Sequence, residues 1–329
     1  MAALRDVPRG THHGAVGTTV ESCIALVKDR LATAPAVSLA GTSPGTGRFS
    51  WFTGSMPDGG PVTSRTPMYA ASVTKQFVAA LVGRAVLAGR VDPEDSVDRF
   101  VALPAWGAAV RVRHLVHHLG GLPDERRLLA ALELADDATL DNALVVLALR
   151  RIPGLDHAPG REFRYSNTGY VLLAEILRAV HGVGPAELLR NDLLRPLGLA
   201  DSDVGEAPAW QVGGAPRRTV GDGGLWTTAA DLLRWLEALN GRALGDALTE
   251  LVQTPGRLDD GAPVDYAWGM GVHAAPLGTT YTHGGTWPGW TAKVVRNPGT
   301  RSAVALLTRS DDDQLVSDVA VELHDLLSA

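Results

Sequence analysis

The run from Ser72 to Ala88 constrains this chain more than any other stretch. Val73, Phe77, Val78, Ala79, Ala80, Leu81, Val82, Ala85, Val86 and Leu87 carry apolar side chains nearly all the way round a helix. A helix without a polar face must be buried on all sides. Gly89 fits its C-terminal cap. Inside this run stands Lys75, the only ionisable side chain before Arg84. A charge there must be paired, or the amine must surrender its proton.

The lysine is also rare. Of the 30 lysines and arginines only three are lysines, Lys28, Lys75 and Lys293. Where charge alone is needed the chain uses arginine, which keeps its proton at ordinary pH. Lys75 lies three residues after Ser72, on the same face of the helix and one turn away. Ser72 falls at the helix start, where free N–H groups and the helix dipole favour a developing negative charge. The pair reads as a nucleophile with a proton acceptor or field source beside it.

The 329 residues suffice for two lobes or one large domain with an insertion. Residues 1–18 read as a loose polar arm. Val20 to Leu31 reads as a helix, with Cys23 packed inside. Strands follow at Ala36–Ala40 and Phe49–Thr53. The middle is mostly helical, at His114–Leu119, Leu128–Leu134, Leu140–Arg150, Gly169–His181, Pro185–Leu194 and Ala229–Asn240. Strands return at Tyr266–Val272, Leu277–Thr282, Thr291–Arg296 and Ala303–Leu307, before a helix at Asp313–Leu327. This order predicts an α/β sheet lobe made of residues 19–85 and 232–329. A mainly helical lobe, 86–231, is inserted between them, with the active site between the lobes.

Two further stretches carry chemistry. Tyr165-Ser166-Asn167 precedes an apolar helix. A phenol near a lysine can take a serine proton, and the Asn167 amide both donates and accepts hydrogen bonds. Helix capping by Ser166 or Asn167 is the plainer reading of the same residues. In Tyr281-Thr282-His283-Gly284-Gly285-Thr286-Trp287 a strand is expected to end in a glycine-rich segment. Glycines such as Gly285 let backbone approach a ligand closely, and the Thr286 N–H can face an oxyanion. A tight turn between two strands is the alternative.

Together the three stretches resemble the signatures of serine β-lactamases and penicillin-recognising peptidases: Ser-x-x-Lys, Tyr-x-Asn and Lys/His-x-Gly. The Tyr-x-Asn form resembles the class C β-lactamase-like branch. Val112-Arg113-His114-Leu115-Val116 with Gly121-Leu122-Pro123, and Gly223-Gly224-Leu225-Trp226-Thr227-Thr228, are also similar to that family. The resemblance covers about residues 20 to 327. It implies an antiparallel sheet flanked by helices with an all-helical insertion. It also implies an acyl-enzyme on Ser72, with Lys75 and Tyr165 as a coupled base. The N–H groups of Ser72 and Thr286 would form an oxyanion hole, and Asn167 and His283 would orient the substrate. No metal or cofactor is called for.

His283 departs from the usual lysine, and Leu119-Gly120 stands where the family often has Thr-Ser. A neutral histidine gives up a fixed cation for a substrate carboxylate. The resulting order of expectation is esterase, then D-amino-acid peptidase or amidase, then acyltransferase, then β-lactamase. A non-catalytic ligand-binding descendant is the alternative from another class. Gly41-Thr42-Ser43-Pro44-Gly45 matches the α/β-hydrolase elbow only formally. Pro44 has no N–H for an oxyanion, so a hairpin turn is expected. His114, His117 and His118 lack the Glu of a zinc protease motif and read as structural. Net charge is −6 with no basic block, which argues against nucleic acid. No apolar leader or membrane span is seen, so a cytoplasmic protein acting on a small ester or amide is expected.

Overall fold

The computed structural model describes residues 19–205 and 218–328. The loose-arm reading of residues 1–18 lies outside them. The chain runs α1 (Val20–Arg30), β1 (Ala36–Ser43), β2 (Gly47–Gly54), β3 (Met68–Tyr69), a 3-10 turn (Ala71–Val73) and α2 (Thr74–Leu87). Then come α3 (Val112–Val116), α4 (Glu125–Ala131), α5 (Asn142–Arg151), α6 (Asn167–His181) and α7 (Pro185–Leu189). β4 (Asp203–Val204), β5 (Leu225–Thr227), α8 (Ala229–Asn240) and α9 (Asp246–Gln253) follow. The chain closes with β6 (Gly271–Ala275), β7 (Gly278–Trp287), β8 (Trp290–Asn297), β9 (Ser302–Arg309) and α10 (Asp313–Ser328).

Six strands form one antiparallel sheet in the order β2-β1-β9-β8-β7-β6. The first and last strands in sequence meet because β1 pairs with β9, from Ala36↔Arg309 to Thr42↔Ala303. Side-chain alternation on these strands sorts two cores. Val37, Leu39, Val304 and Leu306 face α1 and α10, with Cys23, Val27, Val316, Val319 and Leu323 opposite them. Ala36, Ala40, Ala303, Ala305 and Leu307 face the larger core instead. The alanines there leave room for α8, which packs on β1, β8 and β9.

The apolar helix is enclosed as its pattern requires. α2 packs against α6, α7 and α9. Phe77 stacks on Trp235 of α8 with ring centroids 4.2 Å apart. Its neighbour Gln76 accepts a 3.0 Å hydrogen bond from the Trp235 indole, so the one long amide in the first turns is satisfied. Each fully buried Val or Leu of this helix contributes about 1.5–3 kcal/mol.

Several sequence expectations need correction. β7 does not end at the glycines. It runs through Gly284 and Gly285 to Trp287, because β8 pairs with it residue by residue to Trp287↔Trp290. Tyr266–Met270 is not strand. β6 starts at Gly271, and Tyr266 makes only an isolated bridge to Gly271. Gly41, Thr42 and Ser43 belong to buried β1, so the hairpin turn begins at Pro44, three residues later than the elbow-like motif suggested. α3 begins at Val112, and His117 and His118 lie just beyond it. α9 was not anticipated, although Leu248, Leu251 and Val252 stand at helical spacing, and the strands of the small sheet β3-β5-β4 are only two or three residues long, too short for alternation to show. Among the described residues, no helix is long and apolar enough to cross a membrane.

Leu306 is fully buried between the sheet and α10. Leu306→Ala is expected to cost about 2–5 kcal/mol, measured by urea unfolding. A change within experimental scatter would show that this face is not a packed core.

Candidate active site

Ser72 sits in the 3-10 turn immediately before α2, half-buried and reachable. The turn is strained. Ala71 adopts φ +43°, a left-handed conformation that costs a residue with a Cβ about 1–3 kcal/mol. The Thr74 hydroxyl holds it by donating to the Ala71 carbonyl at 2.6 Å. Lys75, fully buried, lies one turn on. Its ammonium group donates to Ser72 Oγ at 2.9 Å, to Asn167 Oδ1 at 2.8 Å and to the Asp222 carbonyl at 2.9 Å. Three N–H groups thus meet three oxygens from separate parts of the chain.

Tyr165 reaches the same point. Lys75 Nζ is 4.9 Å from the centre of its ring and 5.6 Å from that of Tyr170. Ser166 caps α6 by accepting from the Gly169 N–H at 3.2 Å. Capping and site-building are therefore done by adjacent residues, and Asn167 is the first residue of the helix.

β7 supplies the opposite wall. β6 covers β7 only up to Gly271↔Thr282. From His283 onward β7 runs past the turn that carries Ser72. A Cβ on Gly285 would lie 2.2 Å from the Ala70 carbonyl oxygen and 2.9 Å from the Ser72 nitrogen. Only glycine allows that approach. Thr286, the next residue, is exposed on the rim. Trp290 is buried in the core and Trp287 is half-buried.

His283 is buried, and both ring nitrogens have protein partners. Nδ1 lies against the Gly284 carbonyl, which can only accept, so Nδ1 carries the proton. Nε2 then accepts from the Tyr266 hydroxyl at 3.0 Å. Burial, followed by the Lys75 charge, pushes the ring down to about 3. The imidazole is neutral at pH 7. It stands beside the nucleophile but offers neither a cation nor an unused ring nitrogen to a substrate.

His118, read from sequence as structural, proves to be the hub of the site's aromatic wall. Its ring lies 4.3 Å from that of Tyr165, 4.6 Å from Tyr266 and 5.1 Å from Tyr170. Its Nδ1 accepts from the Ser166 N–H at 3.0 Å, which locks the loop carrying Tyr165. Burial and then Lys75 hold this ring well below the usual histidine range. Sequence reasoning also missed Asp222, because its contribution is a backbone carbonyl that leaves no side-chain signature.

A cavity of about 160 Å³ opens behind Tyr165, Ser166 and Asn167. Leu122, Leu128, Leu140, Val145 and Val171 line its apolar part. Asp124, Glu125, Asp156 and Asp222 line it with carboxylates, of which Asp156 is paired with the guanidiniums of Arg127 and Arg164.

A serine bonded to a buried lysine is faced by a Tyr-x-Asn loop and crossed by a glycine of β7 beyond the end of its pairing with β6, the arrangement of a candidate serine-nucleophile site. The profile of the Beta-lactamase family matches residues 24–326, and the chain belongs to that family. It is 25% identical over 290 residues to penicillin-binding protein 4* of Bacillus subtilis (strain 168), covering 77% of this chain and 63% of that protein. It is 25% identical over 272 residues to a D-aminopeptidase of Gluconobacter oxydans (strain 621H), covering 75% of this chain and 50% of that one. The chain therefore spans between half and two-thirds of these relatives' length. Among solved structures it is similar to the D-amino acid amidase from Ochrobactrum anthropi SV3. That match has a TM-score of 0.73 and 25% identity, covering 93% of this chain and 96% of that one.

Two outcomes follow. Gly285→Ala forces β7 away from the Ser72 nitrogen, so reaction at Ser72 is expected to fall about 10²–10³-fold, read as the rate of labelling by a fluorophosphonate. Labelling at the wild-type rate would mean that the close approach is dispensable. The second concerns stability. Burial holds His114, His117 and His324 at about 4, and His283 at about 3, against 6.5 in the unfolded chain. As pH falls below 6.5 the unfolded chain takes up these protons first, so folding stability is lost progressively down to about pH 4 for three of them and about pH 3 for His283. The melting temperature should fall steadily over that window. A flat profile would show that these rings are not buried neutral.

Proposed function

We propose that this protein is a serine amidase or aminopeptidase acting on D-amino-acid amides or on peptides with an N-terminal D-residue. The observation that carries this reading is the carboxylate-lined cavity behind the Tyr165-Ser166-Asn167 loop, which meets the Ser72–Lys75 pair through Asn167 and Asp222. Four carboxylates against the guanidiniums of Arg164 and Arg127, both of which pair with Asp156, leave the lining net acidic, which suits the α-ammonium of an amino-acid substrate, and the apolar lining suits its side chain. Two further points support it. Neutral His283 supplies no cation for a carboxylate next to the scissile bond, which disfavours β-lactams and free C-terminal peptides. The similarity to a D-aminopeptidase and to a D-amino acid amidase supports the D-configuration. This places the amidase reading ahead of the esterase that the sequence ranked first. Simple activated esters would still acylate the same serine.

In this mechanism Ser72 Oγ attacks the substrate carbonyl. Lys75, with its three N–H groups already donated, acts as the fixed positive charge beside the serine, and Tyr165 takes the serine proton. The Ser72 and Thr286 N–H groups stabilise the oxyanion. The C–N bond then breaks, the leaving amine receives the proton from Tyr165, and water hydrolyses the ester on Ser72. The Asn167 carbonyl oxygen is held by Lys75, which turns its NH₂ group to substrate.

A panel of p-nitroanilides tests this. D-phenylalanine p-nitroanilide should be turned over in preference to its L-isomer. N-acetylation, which removes the ammonium, should lower kcat/KM by at least about thirty-fold. Ser72→Ala should abolish all turnover. Equal rates on the free and acetylated substrates, or faster hydrolysis of a cephalosporin, would overturn the assignment.

A further inference from the structure

Lys75 is aimed by three acceptors, and two of them have evident supports. Ser72 is held by its strained turn, and Asn167 by the start of α6. The third, the Asp222 carbonyl, belongs to a loop rich in glycine, and what holds that loop lies away from the reacting atoms. Asn142, the first residue of α5, grips Val220 from both sides. Its Oδ1 accepts from the Val220 N–H at 2.8 Å, and its Nδ2 donates to the Val220 carbonyl at 3.0 Å. The second Nδ2 hydrogen goes to Glu175 Oε1 at 3.0 Å. The amide is thereby saturated with one orientation only.

Glu175 is itself buried on α6, and its other oxygen accepts from Arg178 Nε at 2.8 Å. Between Val220 and Asp222 lies Gly221 at φ +134°, where a Cβ would meet the Tyr170 carbonyl oxygen at 2.4 Å. The loop is thus pressed flat on α6 at Gly221 and clamped at Val220, two residues from the carbonyl that Lys75 uses.

We propose that Asn142, oriented by Glu175, is a positioning residue for the Ser72–Lys75 pair: it fixes the Val220–Asp222 loop so that the Asp222 carbonyl aims the lysine at the serine. The inference rests on Ser72 being the nucleophile. Asn142 touches no reacting atom and acts through the loop. Without the clamp the Asp222 carbonyl shifts, one N–H of Lys75 loses its acceptor, and the amine swings off the serine. A shift of this order costs roughly ten- to a hundred-fold in rate.

The test is the pH dependence of fluorophosphonate labelling on the full chain, with kinact and KI separated. In Asn142→Ala, kinact should fall ten- to a hundred-fold with KI unchanged. The pH of half-maximal labelling should move to higher values, because an ammonium swung off the serine no longer stabilises the Tyr165 phenolate that takes its proton. The titratable groups around Lys75 are Tyr165, Tyr170 and Asp222, with His118 and His283 held neutral by burial and Tyr266 behind them. They are unaltered in the variant. Asn142→Asp keeps the acceptor for the Val220 N–H and removes both donors. It should give the same shift, and it serves if the alanine variant folds poorly. A lower melting temperature with kinact and the pH midpoint both unchanged would show a merely structural side chain and overturn the proposal. Wild-type labelling that persists in Ser72→Ala, or no wild-type labelling at all, would instead overturn the assignment of the nucleophile.

Discussion

The buried ammonium of Lys75 is the interaction on which the rest depends. A charge taken out of water costs several kcal/mol unless it is fully hydrogen-bonded. Here the three oxygens that satisfy it come from the 3-10 turn before α2, from the first residue of α6 and from the loop before β5. Those segments are far apart in the chain. Satisfying the charge therefore assembles the site, and the apolar shell of α2 makes any alternative placement of the lysine costly.

The same charge sets the electrical character of its surroundings. Histidines 118 and 283 are buried close to it, and both burial and Lys75 drive them neutral. The β7 side of the site is thus uncharged, lined by imidazole and phenol groups. The cavity on the α4–α6 side is dominated by carboxylates. This polarity is the reverse of what a substrate with a carboxylate beside the scissile bond would require. It suits a ligand that carries its positive end toward the cavity.

Geometry at the nucleophile has its own cost. Ala71 is held in a left-handed conformation, and Gly285 brings a strand backbone against the Ser72 nitrogen. Neither arrangement is the lowest-energy choice for its own segment. Both persist because β8 pairs with β7 from Tyr281 through Trp287 and because α2 is packed on every side. Rigid elements away from the chemistry thus fix the positions of the groups that perform it.

From the sequence alone, the all-round apolar pattern of residues 72–88 determined that this helix would be central. The isolated lysine within it marked where chemistry was to be sought. The sheet and its closing helix were legible because alternation and periodicity are local. So was Ser166 as a cap, since N-caps act within one turn. The tertiary structure alone decided that β7 continues through its glycines, because strand pairing with β8 overrides their weak propensity. It also turned His118 from a presumed core residue into the support of Tyr165, since stacking between rings 47 residues apart in the chain leaves no local pattern. The reliance of Lys75 on the Asp222 carbonyl, and of that loop on Asn142, was invisible for the same reason. Backbone acceptors carry no residue signature, and which one a side chain meets is settled only when distant segments pack.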